Sequence, residues 1–470
     1  MNNRSILSSV GLLVAALLFS GCASLDARPA FDDVRESVSD RTGHDVQWIT
    51  GTREDAGAAR RVRDLLSGGL TLDEAAQVAL LSNRRLQGVY ERIGVAQADL
   101  VQAGLLKNPV FDGEVKFLDN VSGTKAVVEM AVVQDFVDIL LIPLRKRLAR
   151  AALEATQARV LAAVLDLAAD VRIAFVSLQA AEQTVEMRRR ILHATDASYD
   201  AARRLHHAGN ITDLDEQSRL ALASAETEAI EARERMNALM GLWGEDTDWT
   251  LAGRQPEVPR EEMVLAHLES RAIAGSLDLT LLRDQMRVVA SRAGIEEFEQ
   301  IFPELALGAA AEYEGPDDRW LAGPAISIGI PIFDWGQART EAGRHRLREL
   351  WNEYTALAIE IRAAARAARA RLRNARRQAE YHRRVVLPLA EQITAETQLR
   401  YNAMQLGVFQ LLQAKQREIE TRRRLIVARR DYWIARTELE QLLAGRMLKG
   451  TAVPASPSGM AMDSGGEGGH

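Results

Sequence analysis

The sequence predicts a mainly α-helical protein with a small β part, and three features of the 470 residues lead to this fold class. The chain contains helical runs far longer than those of ordinary globular domains. It contains short segments in which apolar and polar residues alternate, and it carries both features twice. Aromatic residues make up only 5% of the chain, whereas Ala and Arg are abundant. That balance is typical of long helices rather than of compact aromatic cores.

Duplication is the strongest organisational signal. Each copy begins with a helical segment, continues through two alternating strands into a long helix, and returns through a short break and a second helix. Pro109 and Pro303 mark the ends of the two opening helices, and Gly209 and Gly407 lie in the two breaks. We therefore divide the chain into an N-terminal linker or equatorial segment (22–70), a first repeat (71–253), a second repeat (254–447) and a disordered tail (448–470).

The long helices cannot be buried in an ordinary globule. Helices are predicted over 72–106, 144–207 and up to 242 in the first copy, and over 261–301, 337–406 and up to 444 in the second. The two longest would each extend to roughly 100 Å at 1.5 Å per residue. Their charged residues lie on opposite faces and their alanines permit close packing, which favours a hollow helical tube. A solid coiled-coil stalk is the alternative.

The alternating segments have one apolar face. In 110–117 of the first copy, Phe111, Val115 and Phe117 alternate with Asp112 and Glu114. Such strands are typical of a transmembrane β-barrel wall, in which the polar side chains face the lumen or the rim. A soluble antiparallel sheet with one face on a core produces the same alternation. The polar residues of the four strands, for which simple solvation is the alternative role, are Asp112, Glu114, Lys116, Glu129, Glu304 and Glu312.

The strand count predicts an oligomer if the strands cross a membrane. Four strands cannot close a barrel, because small barrels need about eight, and open edges are not tolerated in lipid. Three chains would supply twelve strands. A barrel of that size would enclose a lumen wide enough for solutes.

The first 21 residues are predicted to be a signal peptide. Arg4 precedes an apolar stretch that is too short to span a membrane as a helix. Cys22, the single cysteine, follows two small residues in a pattern that resembles the lipobox of bacterial lipoproteins. We expect Cys22 to be acylated, and Ala23 after it indicates sorting to the outer membrane. An ordinary signal peptide with an incidental cysteine is the alternative.

Composition and motifs exclude several classes of function. A net charge of −6 argues against nucleic-acid binding, because no excess of Lys and Arg is present to neutralise phosphates. One cysteine excludes disulfides within the chain and thiolate metal sites. The sequence contains no nucleophilic triad, phosphate-binding loop or HExxH motif, so we predict that the protein is not an enzyme and requires no cofactor.

Residues 71–445 resemble the TolC-like outer-membrane efflux factor family. The opening helix "TLDEAAQVALLSNRRLQGVYERIGVAQADLVQAGLLKNPVF" is similar to the family's opening, although Arg84 stands where Pro is frequent. The segment "GIPIFDWGQARTEA" is similar to its strand-to-helix junction. In the first copy "DILLIPLRKRLARAAL" keeps Pro143 but lacks the glycine. The breaks "HHAGNITDLDEQ" and "YNAMQLGVFQLLQAKQ" are similar to its helix tips.

The resemblance implies a passive outer-membrane exit duct, lipid-anchored and extending into the periplasm. It implies a homotrimer with a twelve-stranded outer-membrane β-barrel that a periplasmic α-helical barrel continues. Its expected partners are a periplasmic adaptor (membrane fusion protein), an inner-membrane pump and the lipid of the outer membrane. Its cargo would be drugs or metal ions, with copper or silver suggested by soft ligands in the tail. A lipid-anchored periplasmic coiled-coil adaptor or structural protein without channel activity is the alternative function.

The candidate functional residues fall into four groups. The tips are the expected gate and adaptor-docking surface, and the glycines in them are expected to permit chain reversal through positive φ. The tip residues are Gly209, Asp213, Asp215, Gly407, Gln410 and Gln413, of which the two aspartates could instead be helix N-terminal carboxylates. The strand–helix junctions are assigned to Pro143, Pro331, Phe333, Asp334 and Gly336. Membrane-interface aromatics are expected at Phe136, Tyr313 and Trp335, for which core packing at the strand–helix junction is the alternative. A weak metal-binding role, with an inert tail as the alternative, is assigned to Met460, Met462 and His470.

Overall fold

Two copies of one helix–hairpin–helix plan account for most of the chain. The structure is a computed structural model. It describes residues 25–52, 55–120, 123–135, 137–205, 212–301, 305–314, 319–328 and 335–447. Cys22, Phe136, Gly209, Glu304, Pro331, Phe333, Asp334 and the tail with Met460, Met462 and His470 lie outside these ranges. The assignments made to them stay predictions.

The N-terminal segment and the opening of the first repeat are helical. The elements are α1 (Arg28–Thr42), α2 (Asp55–Leu66), a two-residue strand β1 (Gly69–Leu70), α3 (Leu72–Ser82) and α4 (Arg84–Gln102). The sequence predicted one helix over 72–106, but the structure divides it at Asn83. The Asn83 backbone is extended, and its side-chain oxygen accepts a hydrogen bond from Leu86 N at 2.9 Å, so it caps α4.

The first hairpin and the two helices after it complete the first repeat. These elements are β2 (Val110–Asn120), β3 (Gly123–Asp135), α5 (Val137–Leu205) and α6 (Thr212–Met240). The helix predicted to begin at Leu144 begins at Val137, so Pro143 lies inside α5. The passage from strand to helix therefore precedes Pro143, and assigning the junction to Pro143 is wrong. One proline in a helix of 69 residues removes a single backbone hydrogen bond, which the rest of the helix outweighs.

The second repeat follows the same order. After a 3-10 turn (Gly244–Thr247) and a short strand β4 (Thr250–Leu251) come α7 (Leu268–Gly275), α8 (Leu277–Ile301), β5 (Leu305–Glu314) and β6 (Arg319–Ile328). The helix α9 (Gln337–Tyr381) continues through a π-helical turn (His382–Val386) into α10 (Leu387–Asn402), and α11 (Val408–Leu443) returns. The opening helix is again divided, at Ser276, where the hydroxyl accepts a hydrogen bond from Leu279 N at 3.1 Å.

The long helices pack through small and aliphatic side chains. In the first repeat α5 contributes Val171, Phe175 and Leu178 to a core with Met236 and Met240 of α6. In the second repeat the matching core contains the buried α9 face, Tyr432 and Leu439. The buried side chains that α9 contributes to it are Ile361, Ala364, Ala365, Ala368, Leu372 and Ala375. No helix in the described ranges combines the length and the hydropathy of a membrane span.

The two hairpins form one antiparallel sheet in the order β2-β3-β5-β6. The central pair, β3 with β5, joins the two repeats and places Val133 opposite Gly308. Gly308 has almost no room for a side chain, because a Cβ built on it would lie 2.4 Å from the carbonyl oxygen of Val132. In contrast, a Cβ on Gly323 of β6 would meet nothing within 4 Å.

Substitution of Gly308 is therefore expected to disrupt the sheet at the seam between the repeats. Gly308→Val should reduce the yield of folded protein and lower its stability by about 1–3 kcal/mol, because backbone atoms have to move. Thermal unfolding monitored by circular dichroism in detergent would measure the loss. Gly323→Val is the matched control and should change stability by less than about 0.5 kcal/mol. Equal effects at the two positions would contradict the packing argument.

Candidate functional site

The sheet has two chemically different faces. Because directly paired residues of an antiparallel sheet share a face, the register assigns mostly apolar residues to one side. The polar exceptions are Gln134, opposite Leu307, and the pair Asp119 and Thr124 near the end of the first hairpin. The apolar residues of this face include Phe111, Gly113, Val115, Phe117, Val128, Met130, Val132, Leu307, Ala309, Ala311, Tyr313, Trp320, Ala322, Pro324 and Ile326. Its large side chains are exposed, with Phe117 at 72% and Ile326 at 65%. Within the described ranges no element covers this face, so this part of the chain supplies no core on which the face could pack.

The opposite face carries a row of three glutamates. Glu114 pairs in register with Glu129, and Glu129 pairs with Glu312, so the three carboxylates lie side by side across three strands. Lys116 Nζ offsets part of this charge, at 2.8 Å from Glu129 Oε1 and 3.2 Å from Glu114 Oε2. No ion pair of the described residues includes Glu312. This face therefore presents a net negative surface along an open groove of about 760 Å³.

Aromatic side chains lie near both ends of the sheet. Tyr313 and Trp320 face each other across β5 and β6, with ring centroids 5.3 Å apart. Trp335 follows the other end of β6 and is 65% exposed. Tyr313 and Trp335 were predicted from the sequence, whereas Trp320 was missed. Its position two residues after the polar connection "EGPDD" could have indicated it.

The second junction contains the glycine that the sequence singled out. Gly336 is the N-cap of α9 and has φ 68°, a left-handed conformation that favours glycine. The Trp335 backbone N–H donates to Gln337 Oε1 at 2.9 Å, which ties the start of the helix to the chain before it. Pro331, Phe333 and Asp334, assigned to the same junction, precede this described part.

The described helix tip lies between α10 and α11, and its conformation differs from the expectation. Gly407 has φ −82°, so the prediction that it supplies a positive φ is wrong. Met404 takes that role at φ 60°. Its N–H donates to Tyr401 O at 2.9 Å and the Gln405 N–H donates to Arg400 O at 2.9 Å, the hydrogen-bond pattern of a Schellman motif. The chain reverses three residues earlier than Gly407 because α10 ends at Asn402.

The tip surface is apolar and amide-rich rather than charged. Met404 is 94% exposed and Phe409 is 62% exposed. Gln410 and Gln413 are exposed on the first turns of α11, where the sequence analysis placed them. Asp213 and Asp215 lie in the first turn of α6, a position consistent with either of the roles considered for them. Met404 and Phe409 were missed because neither residue type marks a turn.

Replacing Met404, whose backbone is in the left-handed conformation, with glycine is expected to stabilise the tip. Met404→Gly should raise the stability of the α10–α11 hairpin by about 0.5–1 kcal/mol, because glycine adopts positive φ without steric cost. Slower amide hydrogen exchange at residues 398–410 would measure this effect. Gly407→Ala is the companion variant and should change little, since φ −82° suits alanine. Slower exchange in Gly407→Ala but not in Met404→Gly would contradict the assignment.

Metal-ligand side chains do not converge in the described part of the chain, where no three His, Cys, Asp or Glu residues are placed to hold a metal ion. The row of Glu114, Glu129 and Glu312 is therefore a negatively charged surface and is not a metal-coordination site.

Comparisons with known proteins support the same architecture. No family model matches the sequence. The chain is 25% identical over 390 residues to the cobalt-zinc-cadmium resistance protein CzcC of Cupriavidus metallidurans, which covers 80% of this chain and 90% of the relative. It superposes on CusC, for which transmembrane channel formation is described, with a TM-score of 0.65 at 16% identity, covering 80% of this chain and 92% of CusC. The fold is that of a TolC-like outer-membrane channel.

A second solved structure agrees. The open state of the Neisseria gonorrhoeae MtrE outer membrane channel has a TM-score of 0.65 at 16% identity, covering 81% of this chain and 91% of MtrE. The fold class predicted from the sequence, long helices plus a small sheet in a duplicated unit, is confirmed, and so is the resemblance to TolC-like proteins at the level of the fold.

Proposed function

We propose that the protein is the outer-membrane exit duct of a tripartite efflux system, a passive channel that three copies of the chain form together. One observation carries this proposal. A sheet whose large apolar side chains are mostly exposed on one face, and whose edge strands β2 and β6 pair with no further described strand, stands at one end of helices roughly 100 Å long. Lipid chains would cover the apolar side chains of this face. Pairing of β2 and β6 with strands of other copies would satisfy the backbone hydrogen-bonding groups at the two edges. The helices then continue the duct through the periplasm.

Anchoring and partners follow from the same arrangement. Acylation of Cys22 would hold the N-terminal segment at the outer membrane. The apolar tip at Met404 and Phe409, at the other end of the helices, is a suitable docking surface for a periplasmic adaptor, through which an inner-membrane pump supplies cargo and energy. CusC and MtrE, the solved structures compared above, are described as channels, and the duct itself would need no catalytic residue or cofactor.

The negatively charged face of the sheet favours a cationic cargo. In a closed trimer the row of Glu114, Glu129 and Glu312 would form a ring of nine carboxylates around the lumen, three from each chain. Such rings raise the local concentration of cations in a pore. CzcC is named for resistance to cobalt, zinc and cadmium, which agrees with divalent metal ions as cargo.

Conductance in a planar bilayer tests the proposal directly. The purified lipoprotein should insert as a trimer and conduct, with a preference for cations over anions. Replacing Glu114, Glu129 and Glu312 with Gln should reduce that preference while the conductance remains. A protein that purifies as a monomer and conducts no current would contradict the duct.

The cargo class needs a separate experiment. A deletion strain should become sensitive to cobalt, zinc or cadmium salts, and the wild-type gene should restore growth. Sensitivity to organic drugs alone would retain the duct and reject the metal cargo.

A further inference from the structure

The free flank of α9 carries a stripe of arginines without partners. Arg362, Arg369, Arg373 and Arg377 recur at helical spacing on one side of the helix, and no ion pair of the described residues includes them. The Nε of Arg369 is buried and has no hydrogen-bond partner. Four like charges on one helix flank repel each other, and in a chain of net charge −6 this stripe indicates a missing acidic partner.

The matching flank of the first repeat is covered within the chain. Arg172 of α5 donates to Glu440 of α11 at 3.2 Å, and Gln441 of α11 donates to Asp166 of α5 at 3.0 Å. One and two turns further along the same flank of α5, Val176 and Gln179 are only 3% and 4% exposed. In the first repeat this flank is therefore an interface with a returning helix.

The duplication identifies the equivalent residues. The segment Asp170-Val171-Arg172 corresponds to Glu360-Ile361-Arg362, since the buried residues after them have the same spacing. These are Val171, Ala174, Phe175 and Leu178 in α5, and Ile361, Ala364, Ala365 and Ala368 in α9. Arg172, Val176 and Gln179 thus correspond to Arg362, Arg366 and Arg369. The flank that α11 covers on α5 is the arginine flank that is open on α9.

The returning helix of the first repeat has the complementary open flank. Ala225 and Met236 are buried in α6 at the spacing of Ala428 and Leu439 in α11, so α6 is the counterpart of α11. The α11 residues that face α5, Thr437 and Gln441, correspond to Glu234 and Ala238 of α6. Glu231 and Glu234 are exposed there beside Arg235, and neither glutamate makes an ion pair with a described residue.

We infer that the arginine flank of α9 binds the acidic flank of α6 on a second copy of this chain. The contact repeats between copies the α5–α11 interface that exists inside each copy, with Arg369 and Arg373 beside Glu231 and Glu234 of the neighbour. Arg366 lies on the same flank and already pairs with Glu269 of its own chain at 2.9 Å. Apolar side chains accompany the charges on both flanks, Ile359 at 63% and Ile230 at 62% exposure. The inference rests on the proposed trimer and names the surface that holds it together.

Reciprocal charge reversal in the full-length protein tests the inference. Arg369→Glu with Arg373→Glu, and separately Glu231→Arg with Glu234→Arg, should each weaken self-association in detergent at least about tenfold, as measured by mass photometry over a concentration series. The four substitutions together should restore association to within about threefold of wild type, which damage to the fold of one chain could not do. Arg84→Glu with Arg85→Glu, an exposed pair on α4, is the control with the same charge change and should associate normally.

The outcomes separate this inference from the proposed function. If wild type is a conducting trimer and the reversals leave association unchanged, or the combined variant fails to recover, the α9–α6 contact is wrong and the duct stands. If the arginine reversal leaves the trimer intact but abolishes binding of the adaptor, the stripe belongs to the adaptor and the inference is overturned. A monomeric, non-conducting wild type overturns both.

Discussion

Arg446→Ala is expected to destabilise the protein by about 2–4 kcal/mol, one of the largest effects of a single substitution outside the sheet. Arg446 lies just after α11 and joins the two repeats. Its Nε donates to Asp166 Oδ1 of α5 at 3.0 Å, and it also binds Asp278 at the start of α8. The Asp278 carboxylate accepts a further hydrogen bond from Met447 N at 2.8 Å. Removal of the guanidinium leaves two mostly buried carboxylates without their cation.

The effect should depend on pH. Burial raises the pKa of Asp278 above its ordinary value, and the Arg446 charge opposes that rise. Without Arg446 the folded-state pKa of Asp278 rises further, so folding is penalised increasingly as pH rises through that pKa and the carboxyl group must ionise. The stability difference between wild type and Arg446→Ala should therefore widen between about pH 4 and about pH 7.

Urea unfolding in detergent, followed by tryptophan fluorescence at both pH values, measures this prediction. Arg400→Ala is the matched control, because Arg400 makes one exposed ion pair with Glu396, four residues earlier on the same helix. That substitution should cost no more than about 0.5 kcal/mol at either pH. Equal losses for the two variants, or a gap that narrows as pH rises, would show that Arg446 does not hold the repeats together.

The sequence predicted the architecture because its signals are long and repeated. The run 144–207 contains neither Gly nor Pro and therefore permits few folds. Strand alternation specifies which side chains share a face. The division of the opening helices at Asn83 and Ser276 was missed. Both residues use a side-chain oxygen to cap the following helix, a local hydrogen bond that leaves the apolar periodicity unbroken.

Other errors come from residues whose role depends on their neighbours. Pro143 looked like a helix start, yet α5 accommodates it. Gly407 looked like the residue of the reversal, yet Met404 takes the left-handed conformation because α10 ends before it. Periodicity also left two environments open for the strands, lipid or a protein core. The proposal of lipid rests on the sheet register and the exposure of the apolar face, which arise from contacts between segments far apart in sequence.

Met130→Arg is expected to prevent assembly into the outer membrane, and Ala131→Arg is expected to permit it. The two residues are neighbours in β3 and differ in face. Met130 lies in a row with Gly113, Ala311 and Ala322 on the apolar side. Arginine near the middle of a lipid-facing strand costs about 2–4 kcal/mol, a penalty that each of the three copies would carry.

Ala131 belongs to the opposite face, on the strand that carries Glu129, so an arginine there would meet water and nearby carboxylates. Outer-membrane fractions of cells expressing each variant, analysed for heat-resistant trimer, would measure the difference. Ala131→Arg should assemble near the wild-type level and shift ion preference toward anions, because a positive ring then neutralises part of the glutamate row. If both variants assemble equally, or only Ala131→Arg fails, the apolar face does not meet lipid. The exposed residues that led to the duct would then require a protein partner instead.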